Sequence, residues 1–389
     1  MEFTLSEEHA LLREAVAEYA AREVAPRVAE RDRQAAFPAE ELTAAARQGL
    51  LGLLIPEQYG GIAVGTLGAA VVYEELARVS PSLSVMLSVH NSLVSQAVNR
   101  FGSPAVRERF LPELARGARL GAYALTESQA GSDAAAIQTT AVRDGGDYRL
   151  NGRKMFITSG AHAGLIVVFA VTDPGARTSR RISTFVVEAE RAGVRAVRSE
   201  RKLGLRASEI VELEFADVHV PAEQRLGAEG EGFGIAMSLL DGGRIGIGAQ
   251  SVGIAQGAMD RALAYAAQRK QFGREIGQFE SVQNKLADMS TGIEAARLLV
   301  YRAAWLCDTG CAYGLAASQA KLFASETALA VADAAVQIHG GYGYLEEYEV
   351  ERYLRDARAT TLYEGTSEIQ RLVIARGLLA GQRGGVESR

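Results

Sequence analysis

The sequence Val211-Glu-Leu-Glu-Phe215 alternates apolar and acidic residues without interruption. Successive side chains of a β-strand point to opposite faces, so this period of two is typical of a half-buried strand. Two short runs rich in β-branched and aromatic residues, at 165–171 and 182–187, are also predicted to be strands. The residues Asp-Gly-Gly-Asp at 144–147 predict a hairpin turn. Residues 121–231 are therefore predicted to form a middle antiparallel β domain.

Helical patterns precede this β domain. Apolar residues recur at the spacing of one helix face, at Leu12, Val16 and Tyr19. Thr4 and Glu7 match a capping box, in which two side chains satisfy free backbone donors at a helix start. Prolines then punctuate further helices. Residues 1–120 are predicted to form an N-terminal helical domain.

Helical patterns return after the β domain, in residues 232–389. Four long segments are separated by short links, at 245–269, 282–305, 315–338 and 367–379. Four long helices with short connections favour a four-helix bundle. The predicted fold class is α+β multidomain, with a helical domain, an antiparallel β domain and a C-terminal four-helix bundle.

Length and composition limit the possible functions. A chain of 389 residues is long enough for two or three domains, and a net charge of −5 argues against a nucleic-acid partner. Cys307 and Cys311 are four residues apart, as on one helix face, but no histidine lies nearby, so thiols are favoured over a metal site. We expect no membrane span and no signal peptide, which makes the cytoplasm the expected location.

Two segments of the β domain have the composition of a cofactor site. Residues 123–133 read Tyr-Ala-Leu-Thr-Glu-Ser-Gln-Ala-Gly-Ser-Asp, and residues 156–159 read Phe-Ile-Thr-Ser. A glycine with flanking hydroxyls can present donors to a ring or a phosphate, and an aromatic residue beside a hydroxyl can stack on a ring. Taken alone, each segment is more often an ordinary turn or plain strand packing than a cofactor site.

Two segments of the helical bundle also fit either a cofactor contact or a purely structural helix end. Residues 269–273 read Arg-Lys-Gln-Phe-Gly, where Arg269 is able to bind a pyrophosphate or simply to complement a helix end. Residues 337–344 read Gln-Ile-His-Gly-Gly-Tyr-Gly-Tyr, which stops a helix and can also bring backbone donors to a cofactor.

The segment Tyr363-Glu-Gly-Thr-Ser-Glu-Ile-Gln370 holds the candidate base. Thr366 or Ser367 is predicted to cap a helix, which leaves Glu364 just outside it. A carboxylate held on a tight loop can be desolvated, which raises its pKa and strengthens it as a base. The alternative is a solvated loop glutamate.

Taken together and in this order, these segments resemble the acyl-CoA dehydrogenase family from about residue 3 to residue 379. The resemblance is closest to the short-chain and branched-chain members. It is carried also by Asp241-Gly-Gly-Arg244, Lys285-Leu-Ala-Asp-Met289, Arg355-Asp-Ala-Arg358 and Tyr363-Glu-Gly-Thr-Ser-Glu-Ile-Gln-Arg-Leu372.

The resemblance implies an FAD site. Its expected contacts within one chain are Tyr123, Leu125, Thr126, Gly131, Ser132, Phe156, Ile157 and Thr158, with Phe156 at a place where many relatives carry Trp. Segments that reach the FAD of a neighbouring subunit in the family match Arg269, Phe272, Gln337, Gly340 and Gly341. Thr366 and Glu368 match contacts to the distal half of the same cofactor. A site shared by two chains implies an oligomer, in this family usually a tetramer.

The resemblance also implies an acyl-CoA substrate and a mechanism. Ser132, Asp241, Arg244 and Gly365 match acyl-CoA contacts, and Glu364 matches the base that removes the α-proton while a β-hydride moves to flavin N5. Some relatives carry the base on another helix, where Gly243 stands here. Two hydrogen bonds, from the Glu364 backbone and a ribityl hydroxyl, are expected to stabilise the enolate. Electrons are expected to pass to electron-transfer flavoprotein.

Two other functions remain open at this point. One is an acyl-CoA oxidase that reduces O₂, although oxidases of this superfamily are usually longer. The other is a flavin-fold binding protein without turnover, which Glu364 and the acidic net charge count against. The acyl chain and the pathway, fatty-acid β-oxidation or branched amino-acid catabolism, are not determined by the sequence.

Overall fold

The computed structural model describes residues 4–384, which begin with a series of short helices. Their bounds are α1 Glu7–Tyr19, α2 Ala25–Gln34, α3 Ala39–Arg47, α4 Gly65–Val79, α5 Pro81–Ser88, α6 Gln96–Phe101 and α7 Pro104–Ala115, with π-helical turns at Ala20–Val24 and Val89–Ser95. The predicted capping residue is wrong. Ser6 caps α1 by accepting a hydrogen bond from the His9 N–H at 3.3 Å, because Thr4 lies two residues further outside the helix.

An eight-stranded sheet follows the helices. Its strands are β1 Gly121–Ala124, β2 Thr140–Asp144, β3 Asp147–Thr158, β4 Leu165–Val171, β5 Ile182–Glu188, β6 Val194–Ser199, β7 Ile210–Val220 and β8 Arg225–Leu226. The order across the sheet is β6-β7-β3-β2-β4-β5-β8, with β1 paired to β4.

The hairpin predicted at 144–147 is confirmed, since Asp144 pairs with Asp147 between β2 and β3. The β-rich middle of the chain is confirmed as well, and most strand pairs are antiparallel. The sheet is nevertheless mixed, because β4 runs parallel to β1 and meets the end of β2 in the same sense. These pairs join strands that are far apart in the sequence, so local turn signals do not predict them.

Helices return after the sheet as α8 Gly232–Gln268, α9 Glu280–Asp308, α10 Gly314–His339, α11 Val350–Thr360 and α12 Ser367–Gly384, with a small ribbon of β9 Lys270–Gln271 and β10 Arg274–Glu275. The four predicted helices correspond to α8, α9, α10 and α12. Helix α11 was missed. Cys307 lies on α9, whereas Cys311 lies three residues beyond the end of that helix at Asp308, so the two thiols do not share a helix face.

One apolar core runs through both helical parts of the chain. Tyr73 and Leu76 of α4 belong to the same buried cluster as Ile245 and Val252 of α8. A second cluster joins the sheet to α7 and to the start of α8, where Leu239 lies. Helix α8 therefore packs against the N-terminal helices, the sheet and the other C-terminal helices. None of the helices between residues 4 and 384 combines the length and apolar character that crossing a membrane requires.

Candidate active site

A strained turn at Glu364 connects α11 to α12. Glu364 has φ 50° and Gly365 has φ 93°, so both residues lie in the left-handed region. Glycine adopts this conformation freely, but a glutamate there costs energy that the surrounding structure must offset. The Thr366 hydroxyl caps α12 by accepting a hydrogen bond from the Ile369 N–H at 3.4 Å. Of the two predicted capping residues, Thr366 and Ser367, the capping residue is therefore Thr366.

Three side chains from three helices hold this turn. Gln370 Nε2 of α12 donates to the carbonyl oxygens of Glu364 and Gly365 at 3.1 and 3.0 Å. Lys321 Nζ of α10 donates to the Gly365 carbonyl at 2.8 Å. The Tyr363 hydroxyl donates to Gln250 Oε1 of α8 at 2.7 Å. These bonds explain how an unfavourable backbone conformation persists.

The Glu364 carboxylate points into the protein. Its Oε2 atom is shielded from solvent and has no hydrogen-bond partner among the described residues. A Cβ atom built on Gly243 would lie 2.3 Å from this oxygen and 3.0 Å from Leu93 Cδ2. Position 243 therefore has room for the carboxylate only because it carries no side chain.

Burial raises the pKa of Glu364 to about 7, while the positive charges of Lys321 and Arg244 oppose that rise. A carboxylic acid with a pKa near neutrality is a stronger base than a solvated glutamate. The sequence-based expectation of a desolvated carboxylate agrees with this environment, and the solvated alternative does not.

Tyrosines complete the surroundings of the carboxylate. Burial raises the pKa of Tyr123 well above its usual value, and the charge of Glu364 adds to this effect. The Tyr123 hydroxyl is enclosed and has no partner within residues 4–384. Burial and the charge of Glu364 also raise the pKa of Tyr73, whose hydroxyl is 3.4 Å from Ser92 Oγ. Both phenols therefore stay neutral beside the Glu364 carboxylate.

Asp241 and Arg244 lie on α8, on either side of Gly243. Arg244 Nη1 donates to Asp241 Oδ1 at 2.6 Å, and Arg244 is buried with its Nε atom unpartnered in the described residues. Burial raises the pKa of Asp241, and Arg244 opposes the change. A cavity of about 300 Å³ opens next to this pair, lined among others by Leu54, Ser92, Gln96, Leu239 and Gly242.

The predicted cofactor loop 123–132 is tied to strand β3 by a buried ion pair. Lys154 Nζ donates to Glu127 Oε1 at 2.7 Å and to the Leu125 carbonyl at 3.0 Å. The backbone N–H groups of Gln138 and Thr139 also donate to the Glu127 carboxylate. Although burial alone would raise it, Lys154 and these donors hold the pKa of Glu127 at about 2.

The second predicted cofactor segment lies beside that loop. The Met155 N–H donates to the Thr126 carbonyl at 2.8 Å, which joins the two segments directly. The pairing of β3 with β7 shifts between Lys154 and Ile157, and Phe156 there has φ 59°. A bulge of this kind redirects a side chain, and the Phe156 side chain is 56 % exposed.

The remaining residues of these segments differ in exposure. Leu125 and Ile157 are buried, Thr126 and Thr158 are half-buried, and Gly131 and Ser132 are exposed.

Residues predicted to reach a neighbouring subunit's cofactor form a separate, exposed group. The Arg269 guanidinium lies over the Tyr342 ring at 5.2 Å from its centre. Phe272 is 93 % exposed and Tyr344 is 86 % exposed, and Gln337, Gly340 and Gly341 are exposed as well. The ring of His339 stacks on Tyr265 at 4.3 Å, which fastens this loop to the end of α8.

Sequence reasoning missed Lys154 and Lys321, the two buried lysines of these sites. Both leave a signal in the sequence pattern. Lys154 occupies an inward position of β3, in alternation with Tyr148 and Leu150. Lys321 lies among alanines on the buried face of α10, beside Ala317 and others. A lysine in an apolar repeat is rarely buried without a specific partner.

The chain matches three family descriptions in succession. These are the acyl-CoA dehydrogenase N-terminal domain over residues 6–118, the middle domain over 122–218 and the C-terminal domain over 230–379. A curated relative, the short-chain specific acyl-CoA dehydrogenase of Clostridium acetobutylicum, is 45% identical over 96% of this chain and 99% of its own length.

Solved structures agree with these matches. The butyryl-CoA dehydrogenase of Megasphaera elsdenii has a TM-score of 0.96 and 42% identity, covering 97% of this chain and 100% of its own. A chain from structural work on the electron transferring flavoprotein of Acidaminococcus fermentans has a TM-score of 0.96 and 44% identity, with the same coverage.

Two more distant structures bear on cofactor and acceptor. PigA, solved as an FAD complex, has a TM-score of 0.93 and 31% identity, covering 97% of this chain and 99% of its own. The prolyl acyl carrier protein oxidase AnaB has a TM-score of 0.93 and 34% identity, covering 96% and 100%. With all three domains matched and full-length relatives above 40% identity, this chain belongs to the acyl-CoA dehydrogenase family.

Proposed function

We propose that this protein removes two hydrogens from a saturated acyl-CoA thioester to give the trans-2-enoyl-CoA, with Glu364 as the base and FAD as the cofactor. One observation carries the proposal. The Glu364 side chain is half-buried, its Oε2 atom is shielded and unpartnered in the described residues, and it lies on a turn that several side chains hold in a strained conformation. A strained residue that the surrounding side chains hold in place is typical of a functional site.

The residues present fit a flavin. Tyr123 offers an enclosed hydroxyl without a partner in the described chain, and Phe156 offers an exposed ring next to Thr158. The Lys154–Glu127 pair fixes the loop that carries Thr126, Gly131 and Ser132. The FAD complex of PigA supports the assignment of the same cofactor.

The protein's part in the reaction is proton removal and charge stabilisation. Glu364 takes the α-proton in an environment where burial raises its pKa towards the range of a useful base. The N–H of Glu364 donates no hydrogen bond within the described residues, so it is free to bind the thioester carbonyl and stabilise the enolate. FAD, when bound, supplies the acceptor for the β-hydride.

The exposed group at Arg269 supports a site shared between subunits. Arg269 follows the end of α8, 26 residues after Gly243, which at 1.5 Å per residue is on the order of 40 Å along the helix. A single FAD molecule does not span this distance. Arg269, Phe272, Gln337, Gly340 and Gly341 therefore serve the FAD of another subunit, and the active form is an oligomer, a tetramer by resemblance.

We assign Thr366 and Glu368 to the distal half of the cofactor, and Ser132, Asp241, Arg244 and Gly365 to the acyl-CoA. The cavity next to Leu239 and Gln96 is suited to part of that substrate. We also propose domain boundaries near residues 120 and 231, electron transfer to electron-transfer flavoprotein, and a cytoplasmic location.

The deciding experiment replaces Glu364 by Gln. Flavin reduction by acyl-CoA, followed by stopped-flow bleaching, should slow by at least ~10²–10⁴-fold, because the amide cannot accept the proton. FAD content should not change. A matched control is Glu14→Gln, which alters an exposed glutamate of α1. If Glu364→Gln reduces its flavin nearly as fast as the wild type, another group is the base.

The oxidase alternative requires its own test, because the length of this chain does not exclude an oxidase. AnaB is an oxidase, and this chain covers all of it. Reduced enzyme should be reoxidised by electron-transfer flavoprotein or a dye much faster than by air. Oxygen consumption that matches enoyl-CoA formation would instead make this protein an oxidase.

A further inference from the structure

We propose that Lys321 is a positioning residue: by hydrogen bonding to the Gly365 carbonyl, it holds the Glu364–Gly365 turn so that the carboxylate points at Gly243. This inference rests on the proposed role of Glu364 as the base. Lys321 has a second role as well, because its ammonium group places a positive charge near the Glu364 carboxylate.

The geometry of the turn supports this role. The Gly365 carbonyl receives two donors, Lys321 Nζ at 2.8 Å and Gln370 Nε2 at 3.0 Å. Lys321 is fully buried on α10, where its long side chain crosses from one helix to the turn. Without these donors, Glu364 would relax from its positive φ towards a more favourable conformation and turn its carboxylate away.

A buried lysine is costly, and a neutral donor would satisfy a carbonyl equally well. Gln370 already supplies such a neutral donor. The additional property that a lysine brings is its charge. Burial lowers the pKa of Lys321 to about 8, and the charge of Glu364 opposes this change. The two groups thus stabilise each other's ionised forms.

Other charged and titratable groups face this pair from each packed element. Those facing Glu364 are Tyr73 of α4, Tyr123 of β1, Arg244 of α8 and Tyr363 of the turn itself. Those acting on Lys321 besides Glu364 are Arg244, Glu326 and Glu368. Arg244 is already paired with Asp241, so Lys321 is the cation without a competing carboxylate hydrogen bond in the described residues.

The test separates charge from position with three substitutions. Lys321→Met removes both the positive charge and the hydrogen bond to the Gly365 carbonyl. Lys321→Gln removes the charge and keeps a hydrogen-bond donor. Gln370→Leu removes only neutral hydrogen bonds. The readout is the pH profile of flavin reduction. Both lysine variants should move the acidic limb to higher pH by about one unit, because an opposite charge near the carboxylate is lost.

Lys321→Met should also lower the plateau rate, by up to about 10²-fold for a misplaced base. Gln370→Leu should lower the plateau rate without moving the limb. Lys285→Met on α9 is the control and should match the wild type. If Lys321→Met fails to fold, Lys321→Gln tests the charge. A plateau rate of folded Lys321→Met that equals that of the wild type overturns the positioning role. An acidic limb that coincides with that of the wild type in the folded lysine variants overturns the role of the charge.

A second measurement does not depend on turnover. The infrared difference between each protein and its Glu364→Gln counterpart isolates the carboxyl band of Glu364, which is titrated directly. An upward shift in Lys321→Gln supports the proposal even if Glu364 proves not to be the base. An unchanged titration overturns it even if Glu364→Gln is inactive.

Discussion

Helix α8 connects two regions with opposite character. Near its start, Gly243 and Arg244 face an enclosed site in which charges are buried and paired. Beyond its end, Arg269 and Phe272 belong to an exposed group of rings and glycines. We propose cofactor or substrate contacts in both regions, yet only the first is a closed environment within one chain.

The difference shows which part of the site a single chain completes. Around Glu364, the strained turn, the buried cations and the unpartnered oxygen belong to one folded unit. Around Phe272, a ring that is 93 % exposed leaves apolar surface in water. Large exposed rings are typical of surfaces that another chain covers. We therefore expect changes in the enclosed region to affect folding and chemistry, and changes in the exposed region to affect assembly.

The largest effect is expected for Lys154→Met in the enclosed region. Lys154 is fully buried against Glu127, and removal of one partner leaves an uncompensated buried charge. The free energy of unfolding should fall by about 3–5 kcal/mol, measured by urea denaturation. The double variant Lys154→Met/Glu127→Gln should recover much of the loss, since neither charge remains and the amide oxygen still accepts from the backbone N–H groups of Gln138 and Thr139. Equal losses in the single and double variants would contradict the role of this pair.

The pH dependence of the reaction should show the enclosed environment of Glu364 directly. Its pKa of about 7 in the free protein means that kcat/KM rises with pH and levels off above neutrality, because only the ionised carboxylate accepts the proton. At two pH units below this pKa, kcat/KM should be roughly 100-fold lower. A profile that is flat from pH 5 to 8 would show that Glu364 is ionised throughout, or is not the base.

Features that depend on local chemistry were predictable from the sequence. The hairpin at 144–147 follows from two adjacent glycines between strand-forming residues, and β7 follows from strict alternation. Helix α11 has a different pattern, because its buried residues include Arg352 and Asp356, so an apolar period does not reveal it.

The environment of the base was beyond local reasoning. That Glu364 lies near a Gly-flanked helix start was visible in the sequence, but the groups around it include residues as distant in the sequence as Tyr73 and Gly243. The Lys321 hydrogen bond joins positions 44 residues apart, and nothing in either local pattern relates them. Such contacts arise from helix packing, which depends on the whole chain.

In the exposed region, Arg269→Ala should weaken FAD retention. A charge-assisted hydrogen bond to a phosphate contributes about 1.5–3 kcal/mol, so the apparent Kd for FAD should rise by one to two decades, roughly. Because the proposed contact is to another subunit's cofactor, the loss should depend on protein concentration. Arg274→Ala is a nearby control, since Arg274 lies over the Phe279 ring at 4.4 Å. A loss that is the same at all protein concentrations would place Arg269 on its own subunit's cofactor.

The smallest effect on the subunit itself is expected for Phe272→Ala, and it gives the sharpest contrast between the two regions. Phe272 has φ 52°, which is unusual for a bulky residue, and its ring meets Phe279 edge-on at 6.1 Å. Removal of an exposed side chain normally changes the free energy of unfolding by no more than about 0.5 kcal/mol.

Phe169→Ala is the matched control in the buried sheet, where loss of the ring should cost about 3–5 kcal/mol. Urea unfolding of dissociated subunits measures both values, and sedimentation at higher concentration measures assembly. Weaker assembly of Phe272→Ala with unchanged subunit stability would assign this ring to a contact between chains, whereas a loss of stability as large as that of Phe169→Ala would mean that Phe272 packs within its own subunit.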